Sequence, residues 1–209
     1  MIKYSRTRHL PWSAGVGSDD LVCSAETIKN LQDGRRLIVT EKMDGGNITL
    51  TQNGFHARSL DSRTNAFDVR AKARWAEIAQ DIPANFRISA ESLWARRSIW
   101  YQSLPDVLLV FGIWDGEIAL DWDSVQEFTD LLGMHTVPVI YDGCDFQEAV
   151  SVWSRLFDDA HSEGFVLRSA ASFLYDDFDK NVVKYVRVNH VRTTDDWRHR
   201  SDFEVNRIG

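Results

Sequence analysis

The sequence predicts an α+β domain: mainly antiparallel β-sheets packed with helices. Three observations point there. Short runs rich in Val, Ile, Leu and Phe recur between turn signals, at 37–41, 86–90 and 107–114. Asn53-Gly54 lies between two such runs and reads as a two-residue hairpin turn. Helical spacing occurs at irregular intervals, so the regular alternation of strand and helix that builds a parallel sheet is missing.

Taken in order, residues 1–20 form an irregular polar segment with Tyr4 and Trp12 as aromatic anchors. Residues 24–31 read as a short helix stopped by Asp33-Gly34. Strands follow at 37–41, 47–52 and 55–60, the last two joined by the hairpin. Phe67, Ala71, Trp75 and Ile78 recur at helical spacing over 67–79. Strands at 86–90 and 107–114 come next, then helices at 125–132 and 146–157 around a strand at 137–141. The last strands are 165–168 and 182–188, and 195–200 reads as a short terminal helix.

Composition narrows the function classes. At roughly 150 residues per domain, 209 residues allow one large domain, taken as 1–209 with 1–20 as its N-terminal segment. No apolar run approaches the ~20 residues of a membrane span, and MIKYSRTRHLPWS lacks a secretory apolar region, so a cytoplasmic protein with no membrane partner is expected. Cys23 and Cys144 have neither zinc-site nor disulfide-framework spacing. The net charge of −7 argues against a non-specific nucleic-acid binder. That charge is concentrated: residues 115–159 hold 11 Asp/Glu against one Arg155. An acidic lobe there leaves a neutral-to-basic face elsewhere. P-loop, dinucleotide, GxSxG and HExxH motifs are absent. The six histidines show no metal-ligand spacing.

The segment Thr40-Glu41-Lys42-Met43-Asp44-Gly45-Gly46-Asn47 carries the most chemistry. A lysine closes a hydrophobic strand, where it must be solvated, paired or functional. Its amine is a nucleophile only when deprotonated. The Gly pair allows close backbone approach or positive φ. By itself the segment also reads as a hairpin turn with a surface lysine.

Downstream stand Arg58, Glu91, Phe111 in Leu109-Val110-Phe111-Gly112-Ile113, Glu163-Gly164-Phe165-Val166, and Val183-Lys184-Tyr185-Val186-Arg187. In this order, over about residues 36–190, the set resembles the covalent nucleotidyltransferases, a superfamily of polynucleotide ligases and RNA capping enzymes. Within it the chain looks most like an ATP-dependent RNA ligase of the small bacterial or phage type. The resemblance implies a nucleotidyltransferase fold, the ATP-grasp-like adenylation fold of DNA and RNA ligases. It implies that Lys42 attacks the α-phosphorus of ATP, expels pyrophosphate and holds AMP as a phosphoramidate, before AMP passes to an RNA 5′-phosphate and a 3′-hydroxyl displaces it. Lys42, Glu163 and Lys184 would then be catalytic. Glu41 and Asn47 would contact the nucleotide or the RNA end, Met43 the nucleotide, Arg58 its ribose or phosphates, and Glu91 a ribose hydroxyl or a metal-bound water. Phe111 would stack on adenine, and Lys184 would grip the α-phosphate. A Mg²⁺ or Mn²⁺ ion would be held near Glu91 and Glu163. The implied partner is RNA with 5′-phosphate and 3′-hydroxyl ends in RNA repair, with room for an end-healing kinase or phosphatase as helper.

Each of these residues has a plainer reading. Arg58 could be solvated, Glu91 a turn cap, Phe111 sheet core, Glu163-Gly164 a turn, and Lys184 an edge-strand residue. The basic, aromatic N-terminal segment could be a tail packed by Tyr4 and Trp12, or could bring Arg6 and Arg8 to RNA or triphosphate. Arg63, Arg187 and the Arg96-Arg97 pair are further candidates for contact with phosphates. Two departures from the family pattern stand out. Relatives often carry two basic residues on one face of the last strand, but Val182 and Val186 flank Lys184 on that face. The residues after Lys184 are also too few for an oligonucleotide-binding (OB-fold) barrel. A DNA ligase, a GTP-using capping-type enzyme and a non-catalytic nucleic-acid-binding adaptor are the alternatives.

Overall fold

The computed structural model describes residues 2–57, 66–157, 161–188 and 204–209. Two sheets carry the fold. The first takes, from edge to edge, β1 (Arg8–His9), β12 (Val182–Val186), β10 (Gly164–Ser169), β2 (Leu37–Glu41) and β9 (Val139–Gly143), all antiparallel except β1 on β12. The second runs β11 (Phe173–Leu174), β7 (Ile118–Ala119), β6 (Leu108–Asp115), β5 (Phe86–Ser92), β3 (Gly46–Thr51) and β4 (Gly54–Ala57), with β8 (His135–Thr136) parallel to β6. Helices α1 (Ala25–Leu31) and α4 (Phe146–Leu156) share an apolar cluster with the first sheet, while α2 (Val69–Ile78) and α3 (Trp122–Leu131) pack with the second. A four-residue helix, α5 (Phe178–Asn181), leads into β12.

β2 is buried throughout because both of its faces are covered. Leu37 and Val39 pack with α1 and α4, whereas Ile38 joins the other core between the sheets. That is why the segment reads as a continuous apolar run and not as an alternation. The two-residue period continues past the strand and aims Lys42 to the same side as Ile38 and Thr40. On β10, Phe165 and Leu167 join the α4 side, while Val166 and Arg168 turn inward.

The expected α+β class holds, with local differences. Register pairs Thr51 with Gly54, so the hairpin turn is Gln52-Asn53, one residue before the expected pair. Asp121 accepts from the Ser124 N–H at 3.0 Å and starts α3 three residues earlier than apolar spacing suggests. Asp145 likewise caps α4 through the N–H groups of Gln147 and Glu148. Much of the acidic lobe thus serves as caps and as partners of Arg36, which pairs with Asp123 at 2.8 Å and Asp142 at 2.7 Å. β1, β7, β8 and β11 are two residues each and carry no periodicity to read. The expected helix at 195–200 lies outside the described residues.

Both chain ends are tied down. Leu10 donates to the Lys184 carbonyl and Gly15 to the Val186 carbonyl, which fastens the N-terminal segment along β12. At the other end, Asn206, 3% exposed, donates through its amide to the Leu93 carbonyl and accepts from the Tyr101 N–H. This holds residues 204–209 against the loop after β5. Among the described residues no helix is long and apolar enough to cross a membrane.

Gly164 is fixed by close packing. A Cβ there would lie 2.0 Å from the Tyr185 carbonyl oxygen, at a φ of +154°. Gly164→Ala is therefore expected to cost about 2–3 kcal/mol in denaturant unfolding, while Gly17→Ala, which meets only a side-chain oxygen at 3.5 Å, stays within ~0.5 kcal/mol. Equal stability of the two variants would refute the packing described here.

Candidate active site

A cavity of about 520 Å³ opens between the two sheets. β2 and the turn after it supply Thr40, Glu41, Lys42, Met43, Gly45 and Gly46; β3 and β5 supply Asn47 and Glu91; β6 supplies Phe111 to Trp114; β10 and β12 supply Val166, Arg168 and Lys184. Among the described residues of 115–157 no acidic side chain lines it, so that part of the acidic lobe lies away from this cavity.

Lys42 Nζ donates to Glu163 Oε2 at 2.7 Å, with a quarter of the lysine side chain still exposed. Burial pushes the Lys42 pKa down, but the charges of Glu163, Glu91 and Asp44 more than offset it, and the net direction is up. The Lys42 amine is thus held as a charged ammonium. Glu163 is held by its neighbours. Arg187, 3% exposed, donates through its side chain to the Ser162 carbonyl at 2.9 Å and through its backbone to the Glu163 carbonyl at 3.0 Å. Ser162 also accepts from the Trp153 indole at 2.9 Å.

The turn after Lys42 has its own support. Asp44 accepts from the Ser98 N–H at 2.7 Å and the Ile99 N–H at 3.0 Å, so this carboxylate organises a loop. Burial, then repulsion from Glu163, push its pKa up. Gly45 is required by close approach, not by positive φ. Its Cβ would lie 2.5 Å from the Ser92 carbonyl, and its N–H donates to Glu91 Oε1 at 3.1 Å. Burial raises the Glu91 pKa to about 7 against the pull of Lys42 and Arg97, and burial raises that of Glu41 to about 7 against a hydrogen bond with Ser162.

Phe111 owes its position to an irregularity. Ser89 pairs with Gly112 and Ala90 with Val110, which leaves Phe111 as the extra residue of a β-bulge. Bulges re-aim side chains. Val110 remains in the core at 0% exposure while Phe111 lines the cavity. The ring meets Tyr4 edge-on at 5.0 Å, and Tyr4 meets Phe178 at 5.2 Å. Burial pushes the Tyr4 hydroxyl up to about 12.

On the cavity floor Lys184 lies 4.0 Å from Asp20 Oδ1. Behind it, His9 contacts the Ser13 hydroxyl at 2.9 Å and approaches the same Asp20 oxygen at 3.3 Å without hydrogen-bond geometry. Burial, then the Lys184 charge, lower the His9 pKa. Sequence spacing offered no reason to single out His9 or Asp20.

The structure thus gathers Glu41, Lys42, Met43, Asn47, Glu91, Phe111, Glu163 and Lys184 at one place. Met43 belongs to the core at 4% exposure. Arg187 does not join them: it is a buried brace for the 162–163 turn, so the expectation that it meets nucleic acid is corrected. Arg6 and Arg8 do not line the cavity either, since they pair with Asp20 at 3.9 Å and Asp179 at 3.3 Å, while Tyr4, Ser5 and Thr7 of the same segment do line it. Arg58 and Arg63 lie outside the described residues. Arg168 was missed, although it sits two residues after Val166 and period two puts it on the same face. Its guanidinium donates to the Leu120 carbonyl at 2.9 Å, and burial lowers its pKa to about 10.

Whether this donor set suits a divalent cation can be tested on the residues present. Among the described residues no group of three or more His, Cys, Asp or Glu side chains forms a metal cage. Magnesium does not need one, because it keeps several waters and takes one or two carboxylates plus substrate phosphates. Glu91 and Glu163 both act on the Lys42 charge, and Asn47 Oδ1, on the cavity wall, is buried with no hydrogen-bond partner among the described residues. These oxygens fit a hard cation.

A search of curated proteins found no match to this sequence. Solved structures do match in fold. A Naegleria gruberi RNA ligase mutant with ATP and Mn aligns with a TM-score of 0.58 at 16% identity, covering 90% of this chain and 56% of that one. The same ligase with PPi gives 0.55 at 16% identity, covering 90% and 61%. An archaeal ATP-dependent RNA ligase gives 0.58 at 18% identity, covering 86% and 48%. This chain therefore spans about half to three-fifths of the length of those proteins, and its fold is the nucleotidyltransferase fold they share. The RNA ligase family model matches residues 35–186, a span that holds Lys42, Glu91, Phe111, Glu163 and Lys184. With most of its length matched, the chain belongs to the RNA ligase family.

Proposed function

We propose that this chain carries the nucleotidyl-transfer chemistry of an ATP-dependent RNA ligase. The observation that carries the reading is the Lys42 amine, fixed 2.7 Å from Glu163 at the edge of a nucleotide-sized cavity with Lys184 and Arg97 on its walls. ATP is consumed and so is a substrate. The Lys42 nitrogen attacks the α-phosphorus, a P–N bond forms, the α–β P–O bond breaks and pyrophosphate leaves. An RNA 5′-phosphate oxygen then takes the AMP and the amine departs. Finally a 3′-hydroxyl attacks the activated phosphate and AMP is released.

Each wall residue has a physical task in this scheme. Lys184 and Arg97 place positive charge where phosphate oxygens gain negative charge. Phe111 offers a face for base stacking, worth about 1–3 kcal/mol. Glu91 and Glu163 would hold the divalent cation, which when bound supplies charge that screens the phosphates. The charges of those carboxylates keep the Lys42 ammonium charged, so offsetting them would favour loss of its proton.

Incubation with ATP labelled at the α-phosphate and Mg²⁺ or Mn²⁺, followed by denaturing electrophoresis, tests the reading. Label is expected on the wild-type chain, with an intact-mass gain of about 329 Da for one phosphoramidate-linked AMP, and none on Lys42→Ala. Equal label on both would remove Lys42 as nucleophile. GTP, DNA ends and nicked duplexes in the same assay separate the capping-type and DNA-ligase alternatives.

Glu41 generates a second prediction. A carboxyl whose pKa is raised on folding binds its proton more tightly in the native state. Its penalty is therefore absent at low pH, grows as pH climbs from the ordinary 4.5 to about 7, and stays in full above that. Glu41→Gln is expected to unfold nearly like the parent at pH 4.5 and to gain about 3 kcal/mol over it at pH 8, measured by denaturant titration. No difference between the two pH values would show that this carboxyl is solvated.

A further inference from the structure

Beside the cavity, on the loop that follows β5, lies an exposed cationic–aromatic patch that the chemistry above leaves unused. Trp100 is 40% exposed. The Arg96 guanidinium carbon lies 5.5 Å from its ring centre and that of Arg207 5.4 Å from it. Arg207 comes from the far end of the chain. It is delivered by buried Asn206 and by its own N–H, which donates to the Tyr101 carbonyl at 3.1 Å. Arg96 in turn pairs with Glu204. The same loop supplies Arg97 to the cavity wall and the N–H groups that hold Asp44. Trp100 lies three positions after Arg97, a backbone reach of at most ~11 Å, so a strand of a few nucleotides spans from one to the other.

Resting on the reading of the site as an RNA ligase, we propose that Trp100, Arg96 and Arg207 form a docking platform for the RNA strand that leaves the cavity. The patch has the two components a single strand requires. An aromatic ring and guanidinium planes offer stacking surfaces for bases of any sequence, and the guanidinium charges meet the phosphates. In a chain with a net charge of −7, such a concentration beside the site selects a polyanion over an acidic surface at large. The platform is preorganised, since both segments that build it are already joined by backbone hydrogen bonds.

The test is fluorescence anisotropy of a labelled, 5′-phosphorylated single-stranded RNA of about 12 nucleotides, within the usual span of such sites, titrated with the full chain at several salt concentrations. Trp100→Ala is expected to weaken binding at least about fivefold, as removal of one stacked base does, and Trp100→Phe to stay within about twofold of the parent. Arg207→Glu should weaken binding and flatten the log–log salt slope by about 0.7 for each phosphate that is no longer neutralised. ATP-dependent labelling of Lys42, which needs no RNA, should be unchanged in all three. Unaltered RNA affinity in both Trp100→Ala and Arg207→Glu, or no RNA binding by the parent, would overturn the proposal. So would an equal loss of heparin binding in Trp100→Ala, because heparin has charge but no bases. If Trp100→Ala does not fold, Arg207→Glu decides the matter alone. RNA binding that depends on the patch in a chain that takes no label from ATP would uphold the platform and refute the function proposed for Lys42.

Discussion

The 2.7 Å contact between Lys42 and Glu163 joins residues 121 positions apart, and much of the structure around the cavity keeps it in place. Taking two opposite charges largely out of water is costly, and their attraction repays that cost only when geometry and surrounding hydrogen bonds are good. Here the geometry is enforced from several directions. β2 is buried on both faces and directs Lys42 inward. Gly164 lets the next strand approach the Tyr185 carbonyl more closely than any side chain would permit. Arg187 and Trp153 fix the turn that carries Glu163. The pair is a poor source of stability and a good way to hold the Lys42 amine in a single orientation.

The turn that follows Lys42 shows the same economy. Asp44 could be read as part of the reacting group, but its Oδ2 accepts from the N–H groups of both Ser98 and Ile99. Through that contact the turn is coupled to the loop carrying Arg97 and Trp100, and through Asn206 to the last residues of the chain. Cations reach the cavity from β10, β12 and this loop, as Arg168, Lys184 and Arg97. Within 115–157, Asp121 and Asp145 cap helices and Asp123 and Asp142 pair with Arg36. An acidic chain can therefore present a surface to a polyanion, because the distribution of charge decides the field and the net charge does not.

The order of elements and the main site were legible in the sequence where the signal was local. Strand 37–41 and the helix capped by Ser24 lie where period and capping chemistry place them. Lys42, Glu91, Phe111, Glu163 and Lys184 were found because their flanking residues form a pattern. What was not legible is relational. The bulge that makes Phe111 an extra residue of β6 is one such feature, and nothing in 107–114 announces it. Arg187 looked like a surface cation until its strand ended at Val186 and its side chain turned back to the Ser162 carbonyl. His9 and Asp20 meet Lys184 only because a two-residue strand runs parallel to β12, and no periodicity can be read from two residues.

Lys184 is the one basic residue on its face of the last strand. In this chain valines flank Lys184 on that face, and the compensating charge comes from elsewhere. Arg97 reaches in from the loop after β5, and Arg168 stands on the neighbouring strand with its pKa lowered by burial. Arg168 still keeps its charge at neutral pH, whereas burial and the Lys184 charge leave His9 neutral more readily than usual. A neutral His9 adds no charge to that of Lys42 and Lys184, which line the same cavity, and the Lys42 amine stays charged through its pairing with Glu163.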